Sequence, residues 1–173
     1  MKMGDGGFRP AYNVQLAVAG DAMGGPRTIV GLRVVNKGSD ESSVTPMLDE
    51  IKTRTGVLPS VLLADANHAT HACIEEATRR GVETLISVPK HEKNVRVREP
   101  SPEVAEWRAR METPEAKEVY RARASLCELV NAHLKDRFGI DQVLVRGTTK
   151  VTSVLLLASL AFNLLQHASS LCT

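Results

Sequence analysis

The sequence predicts a mixed α/β domain, and three patterns along the chain carry that prediction. Two runs rich in β-branched residues flank a glycine-rich turn, a short apolar run ends at an acidic residue, and two long segments have helical periodicity. Strand and helix signals then alternate, as is typical of a sheet covered by helices. With 173 residues the chain can bury one sizeable core, so a single domain over residues 1–173 is predicted.

The first predicted element is a β-hairpin. Its strands are residues 12–18 (YNVQLAV) and 28–35 (TIVGLRVV), and the stretch between them contains Gly20, Gly24 and Pro26. Glycine and proline at a turn between two β-branched runs are a hairpin signal.

A helix and a buried strand follow the hairpin. Four apolar residues share one face of this helix: Val44, Met47, Leu48 and Ile51. Gly56 and Pro59 close it. Residues 61–64 (VLLA) are fully apolar, as expected of a strand that is buried on both faces, and this strand ends at Asp65.

The middle of the chain predicts a second helix over residues 69–80 and a strand over residues 84–88. Residues 90–113 are charged and show no period beyond a short helix around Trp107, so we interpret them as an insertion or linker. Trp107 has two interpretations: it stacks on an unpaired DNA base, or it anchors the insertion by packing.

Two long helices are predicted in the last third of the chain. The first begins at Pro114, continues to about Arg137 and stops at Gly139. The second covers residues 148–168, and a strand is predicted between the two helices at residues 142–145.

Composition limits the classes of protein that fit. The three cysteines form no C-x-x-C pair, which favours reduced thiols and a cytoplasmic location. The first ten residues lack the apolar core of a secretory signal, so export is not expected. The most apolar stretch, residues 151–165, contains several polar side chains and is shorter than the about 20 residues that cross a bilayer, so it predicts a buried helix.

The net charge of +2 is too small to indicate nucleic-acid binding by itself. Eleven of the 22 lysines and arginines nevertheless fall within residues 90–137, together with nine acidic residues. Such a segment is either a solvated, charge-laced surface or a surface that faces DNA, and the sequence leaves both interpretations open.

Two carboxylates are candidate catalytic residues. Asp65 ends a buried strand, where a carboxylate is rigidly placed and suits a hard cation such as Mg²⁺, although an Asp at this point also commonly caps a helix. Glu128 falls on the same helical face as Arg121 and Lys135, opposite an apolar face. An ordinary solvated Glu has the same placement. The apolar face consists of Val119, Leu126, Val130 and Leu134.

A spaced constellation on this helix adds a family resemblance. Tyr120, Arg123, Glu128 and Lys135 form the pattern Y-x2-R-x4-E-x6-K, and the strand before Asp65 ends in L-A-D. In these features the chain resembles the DDE-type transposases of bacterial insertion sequences. It departs from many of them immediately after the acid, where it has Asn67 and His68.

The resemblance implies a fold, a reaction and a set of site residues. It implies a ribonuclease-H-like mixed sheet with flanking helices, and metal-dependent cleavage and joining of transposon DNA ends. Asp65 and Glu128 would be catalytic ligands of two Mg²⁺ or Mn²⁺ ions. Tyr120, Arg123 and Lys135 would contact the DNA, with the cations on its phosphates.

The resemblance also implies a strand that carries a first catalytic aspartate before the hairpin, and this sequence supplies none. Four aspartates precede Asp65, and none of them is on a strand that leads into the hairpin: Asp5, Asp21, Asp40 and Asp49. We therefore expect an N-terminally truncated catalytic domain that lacks its first strand and is inactive alone. The alternative is a noncatalytic remnant that binds DNA or associates with itself or with an intact transposase.

A zinc site is a further hypothesis. His68, His71 and Cys73 are close in sequence, but a structural zinc site needs four ligands, and no second cluster is visible.

Overall fold

The computed structural model describes residues 11–21, 24–36, 38, 43–89 and 100–171. They form a mixed α/β structure, as predicted. Its elements in chain order are β1 (Asn13–Asp21), β2 (Gly24–Val35), α1 (Val44–Thr55), β3 (Val61–Ala64), α2 (His71–Arg79), β4 (Glu83–Ile86), α3 (Pro102–Glu112), α4 (Pro114–Phe138), α5 (Thr148–Gln166) and α6 (Ala168–Leu171).

The chain divides into two compact units. Unit 1 consists of residues 1–39 and 124–173, and unit 2 consists of residues 40–123. The boundary falls within α4, so residues 114–123 of this helix belong to unit 2 and residues 124–138 belong to unit 1.

In unit 1, the hairpin packs against α5. β1 and β2 pair antiparallel, with Asn13 opposite Val35 and irregularities after Ala17 and Ala19. Ile29 of β2 is buried with Val130 of α4 and with several apolar neighbours. Because the inward side chains of the hairpin and the apolar faces of the two helices are removed from water together, they form the core of this unit.

Polar side chains of α5 bind the outer edge of β2. The Asn163 amide accepts a hydrogen bond from the Ile29 backbone N–H at 2.8 Å and donates one to the Ile29 carbonyl at 2.9 Å. The Gln166 side chain accepts from the Arg27 backbone N–H at 3.1 Å. These side chains satisfy the backbone groups that an edge strand otherwise leaves without a partner.

In unit 2, β3 and β4 pair in parallel, with Leu63 opposite Leu85. The helices α1, α2 and α3 pack in series, and α2 and α3 also contact β4. The core of the unit lies among these elements, and its largest fully buried side chain is Trp107 of α3.

Two sequence-based expectations change with the structure. Residues 142–145 form bends and irregular backbone rather than a strand. The short helix expected around Trp107 within residues 90–113 is longer than expected: it is the 11-residue helix α3, which buries Val104, Trp107 and Met111 in the core of unit 2. Its apolar side chains recur at intervals of three and four residues, and the charges between them concealed that period. Residues 90–99 lie outside the described residues.

The helix α5 is long and apolar enough to cross a membrane by length and composition. Its buried side chains include Val151, Leu155 and Phe162, and its polar end binds β2 through Asn163 and Gln166. These contacts support its interpretation as a core helix of unit 1.

Candidate functional site

Asp65 lies immediately after β3, at the carboxyl end of the parallel pair in unit 2. Its backbone is extended, and its carbonyl accepts a hydrogen bond from the N–H of His68 at 2.9 Å, which closes a short 3₁₀ turn. Its side chain makes no capping hydrogen bond. Thr70 caps α2 instead, accepting from the Cys73 N–H at 3.3 Å. The interpretation of Asp65 as a helix cap is therefore wrong, and its carboxylate is available for other contacts.

The Asp65 carboxylate contacts Arg123 of α4. The separation between the Arg123 Nη1 and the Asp65 Oδ1 is 2.9 Å, which is the length of a charge-assisted hydrogen bond. The Arg123 side chain is 25% exposed and that of Asp65 is 55% exposed, so the pair lies at the edge of water. Two of the residues selected from the sequence are thus in direct contact.

Tyr120 supports the same guanidinium. The Cζ of Arg123 lies 5.4 Å from the centre of the Tyr120 ring, within the range of a cation–π contact. Tyr120 is itself partly buried against the core of unit 2. The backbone of α4, the tyrosine ring and Asp65 together hold Arg123 in one place.

Further along α4, Glu128 and Lys135 belong to unit 1, and both are exposed, as is Arg121 in unit 2. On the predicted apolar face, Leu126, Val130 and Leu134 are buried, whereas Val119 is 48% exposed. The helical period therefore predicted the charged face correctly and three of the four apolar positions.

A divalent metal site needs several His, Cys, Asp or Glu side chains close together. No group of three or more such side chains among the described residues could hold a metal ion. The Asp65 carboxylate is already compensated by Arg123, and the His68 ring is hydrogen-bonded to the Ser43 hydroxyl at 2.5 Å. The described residues alone therefore fit neither a two-metal centre nor the zinc site considered for His68, His71 and Cys73.

A cavity of about 330 Å³ lies in unit 2 beside Tyr120. Its lining residues are Ser87, Val88, Met111, Glu112, Lys117, Tyr120 and Arg121. The Lys117 ammonium donates to the Glu112 carbonyl at 2.7 Å and lies 3.3 Å from the Glu112 carboxylate, while Arg121 is exposed. The cavity thus combines the Tyr120 ring with two cationic side chains, Lys117 and Arg121. The sequence pattern did not single out these cations as neighbours of Tyr120, although both lie within one helical turn of it.

Trp107 has a structural role. Its side chain is fully buried, and its indole N–H donates to the carbonyl of Ile86 at 3.0 Å. A ring with no exposed surface cannot stack on a DNA base without leaving the core, so the packing interpretation of Trp107 is confirmed.

Comparison with known proteins gives one match. A family model described as the transposase DDE domain matches residues 2–164. No curated protein and no solved structure matches the chain.

Proposed function

The chain belongs to the transposase DDE domain family, and on that premise we propose that it is part of an enzyme that cuts and joins the DNA ends of a mobile element. The observation that carries this proposal is the grouping of Asp65, Arg123 and Tyr120 in unit 2. Asp65 follows β3, whereas Tyr120 and Arg123 lie on α4, and all three are residues that a DNA-cutting enzyme of this family would use.

Each residue has a proposed role. Arg123 and Lys135 bind DNA phosphates, and Tyr120 orients Arg123 and contacts the neighbouring DNA strand. In a complete domain, Asp65 and Glu128 would act as ligands of Mg²⁺ or Mn²⁺, which would activate the attacking oxygen and stabilise the leaving one. Carboxylate oxygens are the ligands that these hard cations prefer.

The fold proposed for the domain is ribonuclease-H-like, with a mixed sheet and flanking helices. The described strands form an antiparallel pair, β1–β2, and a parallel pair, β3–β4. A two-stranded sheet is marginally stable by itself, so each depends on the helices that cover it.

We expect the 173-residue chain alone not to cut DNA, since Asp65 has Arg123 as its partner and the described acids form no metal cluster. The test is incubation of the purified chain with supercoiled plasmid and with Mg²⁺ or Mn²⁺, followed by gel electrophoresis. Nicking by the chain that Asp65→Asn abolishes would refute the proposed inactivity. Lys52→Gln, on an exposed helix end of unit 2, is the control for loss of one charge.

A further inference from the structure

The Asp65–Arg123 pair places a carboxylate on the guanidinium that is proposed to bind DNA. The carboxylate oxygen lies 2.9 Å from Nη1 of Arg123. The Nε of the same guanidinium is buried and has no hydrogen-bond partner among the described residues. Arg123 thus has one nitrogen that an oxyanion already contacts and a second one that is unsatisfied.

The two partners differ in how they are held. Arg123 projects from α4 and lies over Tyr120, which packs against the core of unit 2. Asp65 lies between β3 and a short 3₁₀ turn, and more than half of its side chain is exposed. A small rotation of the Asp65 side chain into water therefore releases Arg123, whereas Arg123 keeps the support of the aromatic ring.

Carboxylates and phosphates compete for arginine because both present two oxygens to the guanidinium fork with the same geometry. We propose that Asp65 is an internal stand-in for a DNA phosphate on Arg123, and that binding of the DNA backbone exchanges the carboxylate for a phosphodiester oxygen. This inference rests on the proposed function, since it assumes that α4 binds DNA. It adds that Asp65 weakens binding until the exchange occurs.

The exchange also bears on the metal site proposed at Asp65. The Asp65 carboxylate is compensated by Arg123, and the described residues place it in no cluster of three or more possible metal ligands. When a phosphate takes the place of the carboxylate on Arg123, the Asp65 carboxylate becomes free. DNA binding and release of the Asp65 carboxylate are then one event, and by linkage each favours the other.

The test is binding of a short fluorescent DNA duplex to the full chain, measured by anisotropy across a salt series with EDTA present. Asp65→Asn should tighten binding about two- to fivefold, as expected when a partly exposed ion pair no longer competes. The slope of log K against log salt should steepen by up to about 0.9, the equivalent of one additional phosphate contact. In the background of Arg123→Gln, the same Asp65→Asn change should have little effect, because there is no guanidinium to release.

Asp49→Asn is the matched control. Asp49 and Arg80 also form an Asp–Arg pair in unit 2, at 2.5 Å and with side-chain exposures of 61% and 26%, so the substitution removes the same charge at similar exposure. Arg80 also donates to the Glu76 carboxylate at 2.6 Å. Its hydrogen bonds to Asp49, first, and to Glu76 raise the pKa of Arg80 above its usual value. Arg80 therefore stays charged and partnered when Asp49 is changed.

The outcomes separate the inference from the function on which it rests. Equal tightening by Asp65→Asn and Asp49→Asn would be a general effect of charge, and it would overturn the exchange while DNA binding stands. Absence of duplex binding by the parent chain at low salt would overturn the proposed DNA binding, and the exchange with it. Asp65→Ser, which also removes the charge, replaces Asp65→Asn if circular dichroism shows that the asparagine variant is not folded.

Discussion

Removal of the Trp107 side chain should unfold unit 2, because this ring is the largest fully buried side chain of the described residues. Trp107→Ala removes a bulky ring from the cluster that joins α1, α2, α3 and β4, and such truncations cost about 3–5 kcal/mol. It also leaves the Ile86 carbonyl without its 3.0 Å hydrogen bond, which adds about 1 kcal/mol. The total approaches the about 5–15 kcal/mol that stabilise a typical domain.

The assay is urea denaturation followed by circular dichroism, because Trp107 is the only tryptophan and its loss removes the natural fluorophore. Trp107→Phe retains most of the ring and loses the hydrogen bond, so we expect about 1–3 kcal/mol of destabilisation. Leu144→Ala is the control for truncation of an apolar side chain, since Leu144 is 99% exposed, and it should change stability by less than about 0.5 kcal/mol. A loss below about 1 kcal/mol for Trp107→Ala would refute the assignment of α3 to the core.

Three further substitutions test local features by the same denaturation assay. Asn163→Ala removes both hydrogen bonds to Ile29 and should lower the free energy of unfolding by about 2–3 kcal/mol. Asn131→Ala, at an exposed position of α4, is the control and should be nearly neutral. Equal effects of the two substitutions would contradict the edge-binding role of α5. Gly56→Ala places a Cβ at φ +79° after α1 and should cost about 1–2 kcal/mol; a gain in stability would exclude this helix ending. Thr70→Ala removes the α2 cap and should cost about 1 kcal/mol, and Thr70→Ser should restore most of it.

Local patterns predicted most of the elements. The hairpin, α1, β3, α2, β4, α4 and α5 all occur near their predicted positions, because a period of two or 3.6 residues records which side of an element meets the core. Gly139 ends α4 as predicted: its backbone has φ +64°, and its N–H donates to the carbonyl of Lys135 at 3.1 Å. The helix α3 was underestimated because charged residues dominate its composition, although its apolar side chains are at helical spacing.

The resemblance drawn from Tyr120, Arg123, Glu128 and Lys135 is confirmed at the level of the family, since the transposase DDE domain matches residues 2–164. The roles of Asp65 and Glu128 as metal ligands stay predictions, as does the truncation. The ion-pair partner of Arg123 is Asp65, which follows β3 and is far from Arg123 in the sequence.

The sequence by itself determined the family, the alternation of strands and helices, and the charged face of α4, because each of these is encoded in residue types at short, fixed spacings. Only the tertiary structure decided that Asp65 contacts Arg123 and that Asn163 binds the open edge of β2. The physical reason is that such contacts join residues far apart in the chain. Their partners depend on how whole elements pack together, and a local pattern records burial but not the neighbour that provides it.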